Sequence, residues 1–371
     1  MEKEVFPMKN SYRRYFKFAI VLSVLVASLF LIQWAGESGL FRSARVEAKI
    51  TPETVFFDKA NPNIRAVMAI QDRHTHALMA LPDVAGTATG IAEDGTPAVL
   101  VFTKRGERIG MIPENLEGAP VVVKVTGEIF AMPKPPTSNK VNIDPASRFD
   151  RPVPIGVSTG NEGECSAGTI GARVKKGNSV YYALSNNHVY ALENAAQIGS
   201  RVLQPGLYDT KCIFNSNDVI GALADFQPIV FSTTANNTMD AAIASSSIDI
   251  LSNATPSNGY GTPKSQIASP VLSQNVQKYG RTTSLTKGTI WGINSTVNVM
   301  YDFGTARFVN QIVVYSNKPF IKPGDSGSLL VTNPGRNPVG LLFAGNASGT
   351  YAWANKIDLI LTRFGVTIDG E

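Results

Sequence analysis

From residue 161 to its end, this chain is written in short alternating runs of β-favouring residues separated by turn residues. Ser179-Val-Tyr-Tyr-Ala-Leu-Ser, Gly288-Thr-Ile-Trp-Gly-Ile, Gln311-Ile-Val-Val-Tyr and Val339-Gly-Leu-Leu-Phe-Ala are examples. A strand shows the same face every second residue and a helix every 3.6, so this pattern points to an all-β barrel or sandwich. The exception is Ala354-Asn-Lys-Ile-Asp-Leu-Ile-Leu-Thr-Arg-Phe, whose spacing predicts a C-terminal helix. The block 161–371 holds about 210 residues, enough for two packed barrels.

The 371 residues exceed one average domain, and the N-terminal part has a different character. Residues 18–35, FAIVLSVLVASLFLIQWA, carry no charge. As a helix they reach roughly 27 Å, close to the thickness of a bilayer's hydrocarbon core. Lys9, Arg13, Arg14 and Lys17 make 1–17 a basic segment that favours a cytoplasmic N-terminus. The expectation is a transmembrane signal-anchor, with a cleaved signal peptide at Gln33-Trp34-Ala35 as the alternative. In both cases the remainder is exported, to a periplasmic or extracellular space, and the membrane is a partner through this helix. Residues 1–49 hold eight Lys/Arg against four Asp/Glu, which leaves 26 and 25 of the chain's 34 and 29 elsewhere. There is no basic stripe with interleaved aromatics, so nucleic acid is not an expected partner.

Residues 50–132 read as a separately folded small α+β domain. Asn61-Pro62-Asn63 caps a predicted helix with the body IRAVMAIQDRHTHALMAL, and Pro82 ends it. Gly86 to Phe102 reads as a β-hairpin with an Asp-Gly turn, and 120–127 as another strand. His74 and His76 stand two apart on the helix and so point to nearly opposite sides, which argues against a metal pair. Residues 133–160, rich in Pro, Ser and Asn, read as a linker or an extended lead-in strand.

Three motifs in the β block bear chemistry. Leu184-Ser-Asn-Asn-His188-Val189, Met239-Asp240-Ala-Ala-Ile-Ala244 and Pro323-Gly324-Asp325-Ser326-Gly327-Ser328 set an imidazole, a carboxylate and a hydroxyl in the order His188, Asp240, Ser326. A serine hydroxyl is nearly inert near neutral pH until a base takes its proton. Acyl transfer also needs a group that orients the base and donors for the developing oxyanion. His188 is the sole histidine of the block. Asp240 opens a small apolar strand, which Asp218 and Asp225 do not. The glycines around Asp325-Ser326 permit a tight turn that aims the N–H groups of Gly324 and Ser326 at one point, with the N–H of Asp325 assisting. The two cysteines, Cys165 and Cys212, lie on either side of His188. In an exported protein they can form a disulfide, and two buried thiols are the other possibility. No Cys/His cluster suits a metal, and no cofactor is expected.

Residues 161–371 resemble the trypsin-like, chymotrypsin-fold serine peptidases, and the three motifs carry the resemblance. Tyr279-Gly-Arg-Thr-Thr-Ser-Leu-Thr-Lys-Gly-Thr-Ile is similar to a strand–turn–strand of bacterial secreted members of the streptogrisin and α-lytic types. Gly340-Leu-Leu-Phe-Ala-Gly345 is similar to the strand that pairs with the substrate backbone. The resemblance implies a mainly β fold of two antiparallel six-stranded barrels with the site between them. It implies hydrolysis of protein or peptide substrates with His188 as base, Asp240 as orienting acid and Ser326 as nucleophile. It also implies substrate contacts from Phe343, Ala344 and Gly345, and from Phe320, which stands where trypsin-type enzymes place an acidic specificity residue. An apolar or small-residue pocket is therefore expected. Ser328 departs from the usual second glycine, and the family's disulfides away from the histidine are missing. The pro-domains common in such enzymes suggest a regulatory role for 50–132. Two competing functions remain: a serine esterase or amidase on the same machinery, and a catalytically silent binding module of the same fold.

Overall fold

The structure, a computed structural model, describes residues 60–106, 109–131 and 143–371. All fall within one compact unit, Val55–Glu371. The expected basic segment and membrane helix lie outside the described residues. Among the described residues no helix is long and apolar enough to cross a membrane.

The described chain is mainly β, in two sheets. The first is an open sheet with the strand order Thr367–Ile368, Ala172–Lys176, Val180–Ser185, Ala242–Ser246, Val219–Phe226, Arg201–Leu203, Ser158–Asn161, Gly168–Thr169. The second contains a closed ring. Asn275–Gly280, Leu329–Thr332, Pro338–Asn346, Tyr351–Lys356, Gly304–Tyr315 and Ser284–Tyr301 pair in that order, and the first also pairs with the last. The ring has the expected six strands, whereas the first sheet has eight and stays open.

Alternation places the side chains. Leu342 points into the barrel core with Val276, Ile290 and Ile312, while its neighbour Leu341 faces the other way. Leu341 joins Leu329 and Val331 against Ala172, Val174, Leu184 and Ile243 of the first sheet, forming an apolar seam. The C-terminal helix Ile357–Phe364 covers that seam with Ile357, Ile360, Leu361 and Phe364, at the spacing of one helical face. Strand continues through Lys356, so the helix starts three residues later than the sequence pattern suggests.

The largest difference from expectation concerns residues 60–131. Helix Pro62–Met79 forms as predicted: Asn61 accepts the Asn63 N–H at 2.9 Å and Pro62 sits in the first turn. The hairpin Val84–Ile91/Pro97–Thr103 also forms, turning at Gly95 with φ +87°. These elements are not closed off as a separate domain. Val84–Ile91 pairs antiparallel with Ser284–Tyr301, so the second sheet runs on through Pro97–Thr103 and Ala119–Val125. Ile64 inserts among the barrel's own core residues. Buried Gln71 donates to Asn294 O at 2.9 Å and accepts from Thr89 Oγ1 at 2.7 Å. Val84–Ile91 finds a pairing partner on Ser284–Tyr301, while the helix lays Val67 and Leu78 on its own hairpin and sends Ile64 into the barrel core. Within the expected linker, Val153 bridges to Leu251 and strand pairing begins at Ser158, so the first sheet starts before residue 161.

Candidate active site

Strand register brings the imidazole and carboxylate together. Ala242 pairs with Ser185 in adjacent antiparallel strands, so the residues just before Ala242 and just after Ser185 share one end of the sheet. There the chain makes the one-turn helix Asn187–Tyr190, which carries His188. His188 Nδ1 lies 2.6 Å from Asp240 Oδ2, and the His188 N–H donates to Oδ1 at 3.2 Å. Asn186 Nδ2 donates to Asp240 O at 2.7 Å, and the Asp240 N–H donates to Asn355 Oδ1 at 3.1 Å. Tyr301 completes the set, its hydroxyl donating to Asp240 Oδ2 at 2.9 Å. Both members of the pair are buried. A buried carboxylate is costly unless donors compensate it, and Asp240 has three. Burial works to lower the His188 pKa, but the charge and hydrogen bond of Asp240 outweigh it, aided by Glu193 and Glu164, and leave it raised above 6.5.

Ser326 sits in a turn between Gly324, φ +95°, and Gly327, φ +91°. A Cβ on Gly327 would lie 2.2 Å from Ser185 Oγ and 2.3 Å from Thr169 O, so glycine is required by space as well as by φ. That close approach sets the turn against the strand leading to His188. Thr169 clamps it further, its N–H donating to Ser326 O and its hydroxyl to Gly324 O, both at 2.8 Å. Gly168, between these parts, approaches both Val189 and Ser326 O. The turn carrying Ser326 thus packs against the strand that leads to His188, and His188 Nε2 and Ser326 Oγ are both buried without a hydrogen-bond partner.

Asp325 does not act as expected. Its N–H donates to Lys322 O at 2.9 Å and is not free for an oxyanion. Its carboxylate is a buried anchor, taking N–H donors from Thr282 and Thr283 and pairing with Lys278 Nζ at 3.3 Å. The N–H groups of Gly324 and Ser326 donate to no protein group among the described residues. Ser328, in place of a glycine, closes the turn by donating from Oγ to Asp325 O at 2.5 Å.

The expected substrate contacts fall differently. Phe320 is fully buried in the barrel core, and Phe343 is fully buried in a second apolar cluster shared with the N-terminal hairpin, against Phe308 with ring centroids 4.8 Å apart. Neither lines an open pocket. Ala344 and Gly345 do form a pairing edge, but it is occupied: Ile129–Ala131 lies antiparallel to it, with Ala344 opposite Ala131, Gly345 opposite Phe130 and Asn346 opposite Ile129. Cys165 and Cys212 form a disulfide, with Cα atoms 5.2 Å apart. Tyr301, Asn355 and Thr169 have no signature of their own in the chain, because each reaches the site through tertiary pairing, and Asn186, inside the histidine motif, gains its donation to Asp240 O from the same strand pairing.

No family model matches the chain, and no curated protein matches it in sequence. Among solved structures it is similar to a glutamic-acid-specific serine protease that uses a histidine triad in substrate binding (23% identity; 58% of this chain and 100% of that one; TM-score 0.41). It is also similar to Thermobifida fusca Protease A (21%; 59% and 100%; TM-score 0.42) and to Cellulomonas bogoriensis chymotrypsin (21%; 59% and 99%; TM-score 0.40).

Proposed function

We propose that this protein is an exported serine endopeptidase, held latent by its own residues 129–131. The observation that carries the reading is the buried His188–Asp240 pair, 2.6 Å apart, beside a buried Ser326 hydroxyl on a turn with two uncommitted N–H groups. In the proposed reaction Ser326 Oγ attacks the peptide carbonyl carbon while His188 Nε2 takes its proton. Asp240 holds the ring in the tautomer that leaves Nε2 unprotonated and stabilises the imidazolium that forms. The oxyanion develops against the N–H groups of Gly324 and Ser326. His188 then gives its proton to the leaving amine, and water hydrolyses the acyl-enzyme by the same steps. The disulfide suits an oxidising compartment.

Latency is supported by the strand Ile129–Ala131, which lies where an extended substrate backbone is expected to add to Ala344–Asn346. A second reading, the silent binding module, draws on the same burial, because His188 and Ser326 are neither exposed nor joined by a hydrogen bond. A fluorophosphonate probe separates the two. Phe130→Pro, which removes a backbone donor from the blocking strand, should raise labelling well above wild type, with Ser326→Ala as the blank. No labelling of either wild type or Phe130→Pro, together with no cleavage of a broad peptide library, would favour the binding module.

A further inference from the structure

We infer that Tyr301 is a positioning residue for this site, fixing the Asp240 carboxylate and through it the His188 ring. The inference rests on the peptidase reading for its kinetic consequence, though not for its geometry. Asp240 Oδ1 receives the His188 backbone N–H, and Oδ2 receives both His188 Nδ1 and the Tyr301 hydroxyl. With donors on both oxygens the carboxylate cannot rotate without breaking one of them. The phenol's burial and the adjacent carboxylate push its pKa well above 10, so it stays a donor.

The ring is itself held. Tyr301 packs edge-on against His188, with centroids 6.0 Å apart, and against Phe231 at 5.7 Å. It is the last residue of the strand Ser284–Tyr301, and the two residues after it are tied to the histidine loop. The N–H groups of Asp302 and Phe303 donate to the Glu193 carboxylate at 3.2 and 2.9 Å. Residues 192–194 all take positive φ, bending the chain after His188 so that Glu193 meets the hairpin tip. The hairpin of the second sheet therefore delivers a hydroxyl to a carboxylate of the first.

The sign of the effect follows from charge. The hydroxyl's donation spreads and stabilises the Asp240 charge. Removing it leaves a more concentrated negative charge facing His188, which raises the imidazole pKa further. The titratable and charged groups facing that ring are Asp240, Tyr301, Glu193 and Glu164. Only the Tyr301 hydroxyl is changed by Tyr301→Phe, which keeps the ring and its packing.

The test uses the full chain with isotope-labelled histidine, in wild type and Tyr301→Phe. The expected results are a His188 titration midpoint higher by about half a pH unit and a shifted Nδ1–H resonance. Where turnover is measured, in the Phe130→Pro background, kcat should fall about tenfold with KM little changed, the scale of one lost charge-assisted hydrogen bond. An unchanged His188 titration and Nδ1–H resonance overturn the inference, whatever the activity. If instead the parent protein shows no turnover, the peptidase reading fails on its own, and the titration still decides the role of Tyr301.

Discussion

At the scale of single residues, the His188–Asp240 pair makes two opposite demands on pH. The folded-state pKa of His188 is raised, so the imidazolium–carboxylate attraction contributes stability fully below about pH 6.5 and loses it as pH rises through the raised value. Catalysis runs the other way, because only neutral imidazole accepts the Ser326 proton. Activity of the unblocked protein should therefore climb over the same interval in which this contribution to stability declines. Parallel pH profiles of kcat/KM and of the denaturation midpoint check this. Asp240→Asn should remove the coupling from both profiles while the fold persists. It should also cut turnover by about 10⁴, the scale of loss when the triad aspartate of trypsin becomes asparagine. The three side chains of the proposed triad are legible in the sequence because each sits in a short motif whose chemistry is local. Tyr301 is not: 61 positions separate it from Asp240, and only the paired hairpin brings it near. The role of Asp325 is hidden for a related reason, since the direction of its N–H depends on Lys322 O and its carboxylate on Lys278.

Among the elements, strand alternation and turn residues announce most strands, the hairpin at Gly95 and helix Pro62–Met79. Which strands pair across hundreds of residues is not written in alternation, because an edge accepts any compatible strand. So the small N-terminal group reads as self-contained, although Val84–Ile91 completes the sheet beside Ser284–Tyr301. Gln71 shows how firmly it is docked: it satisfies Asn294 O and Thr89 from inside a buried interface. Gln71→Leu leaves those groups desolvated without a partner, at about 1–3 kcal/mol each. Urea denaturation should show a lower midpoint at nearly unchanged slope. A midpoint equal to wild type would mean that the docking does not depend on this side chain.

For the molecule as a whole, the strand proposed to block the site is joined to a segment with its own hold on the second sheet, through Ile64, Gln71 and the Val84–Ile91 pairing. Covalent linkage is therefore only part of what keeps Ile129–Ala131 in place. Cutting the chain at a protease site engineered into 133–141 turns an intramolecular blocker into a tightly held inhibitor acting in trans. Fluorophosphonate labelling of Ser326 after such a cut should stay low at high protein concentration. It should rise on dilution or when the N-terminal piece is digested, and fall again when that piece is added back. Full labelling at every concentration directly after the cut would show that the tether alone maintained the block. On this account, activation has two separable stages, scission and departure, and the second sets how sharply activity responds to the amount of protein present.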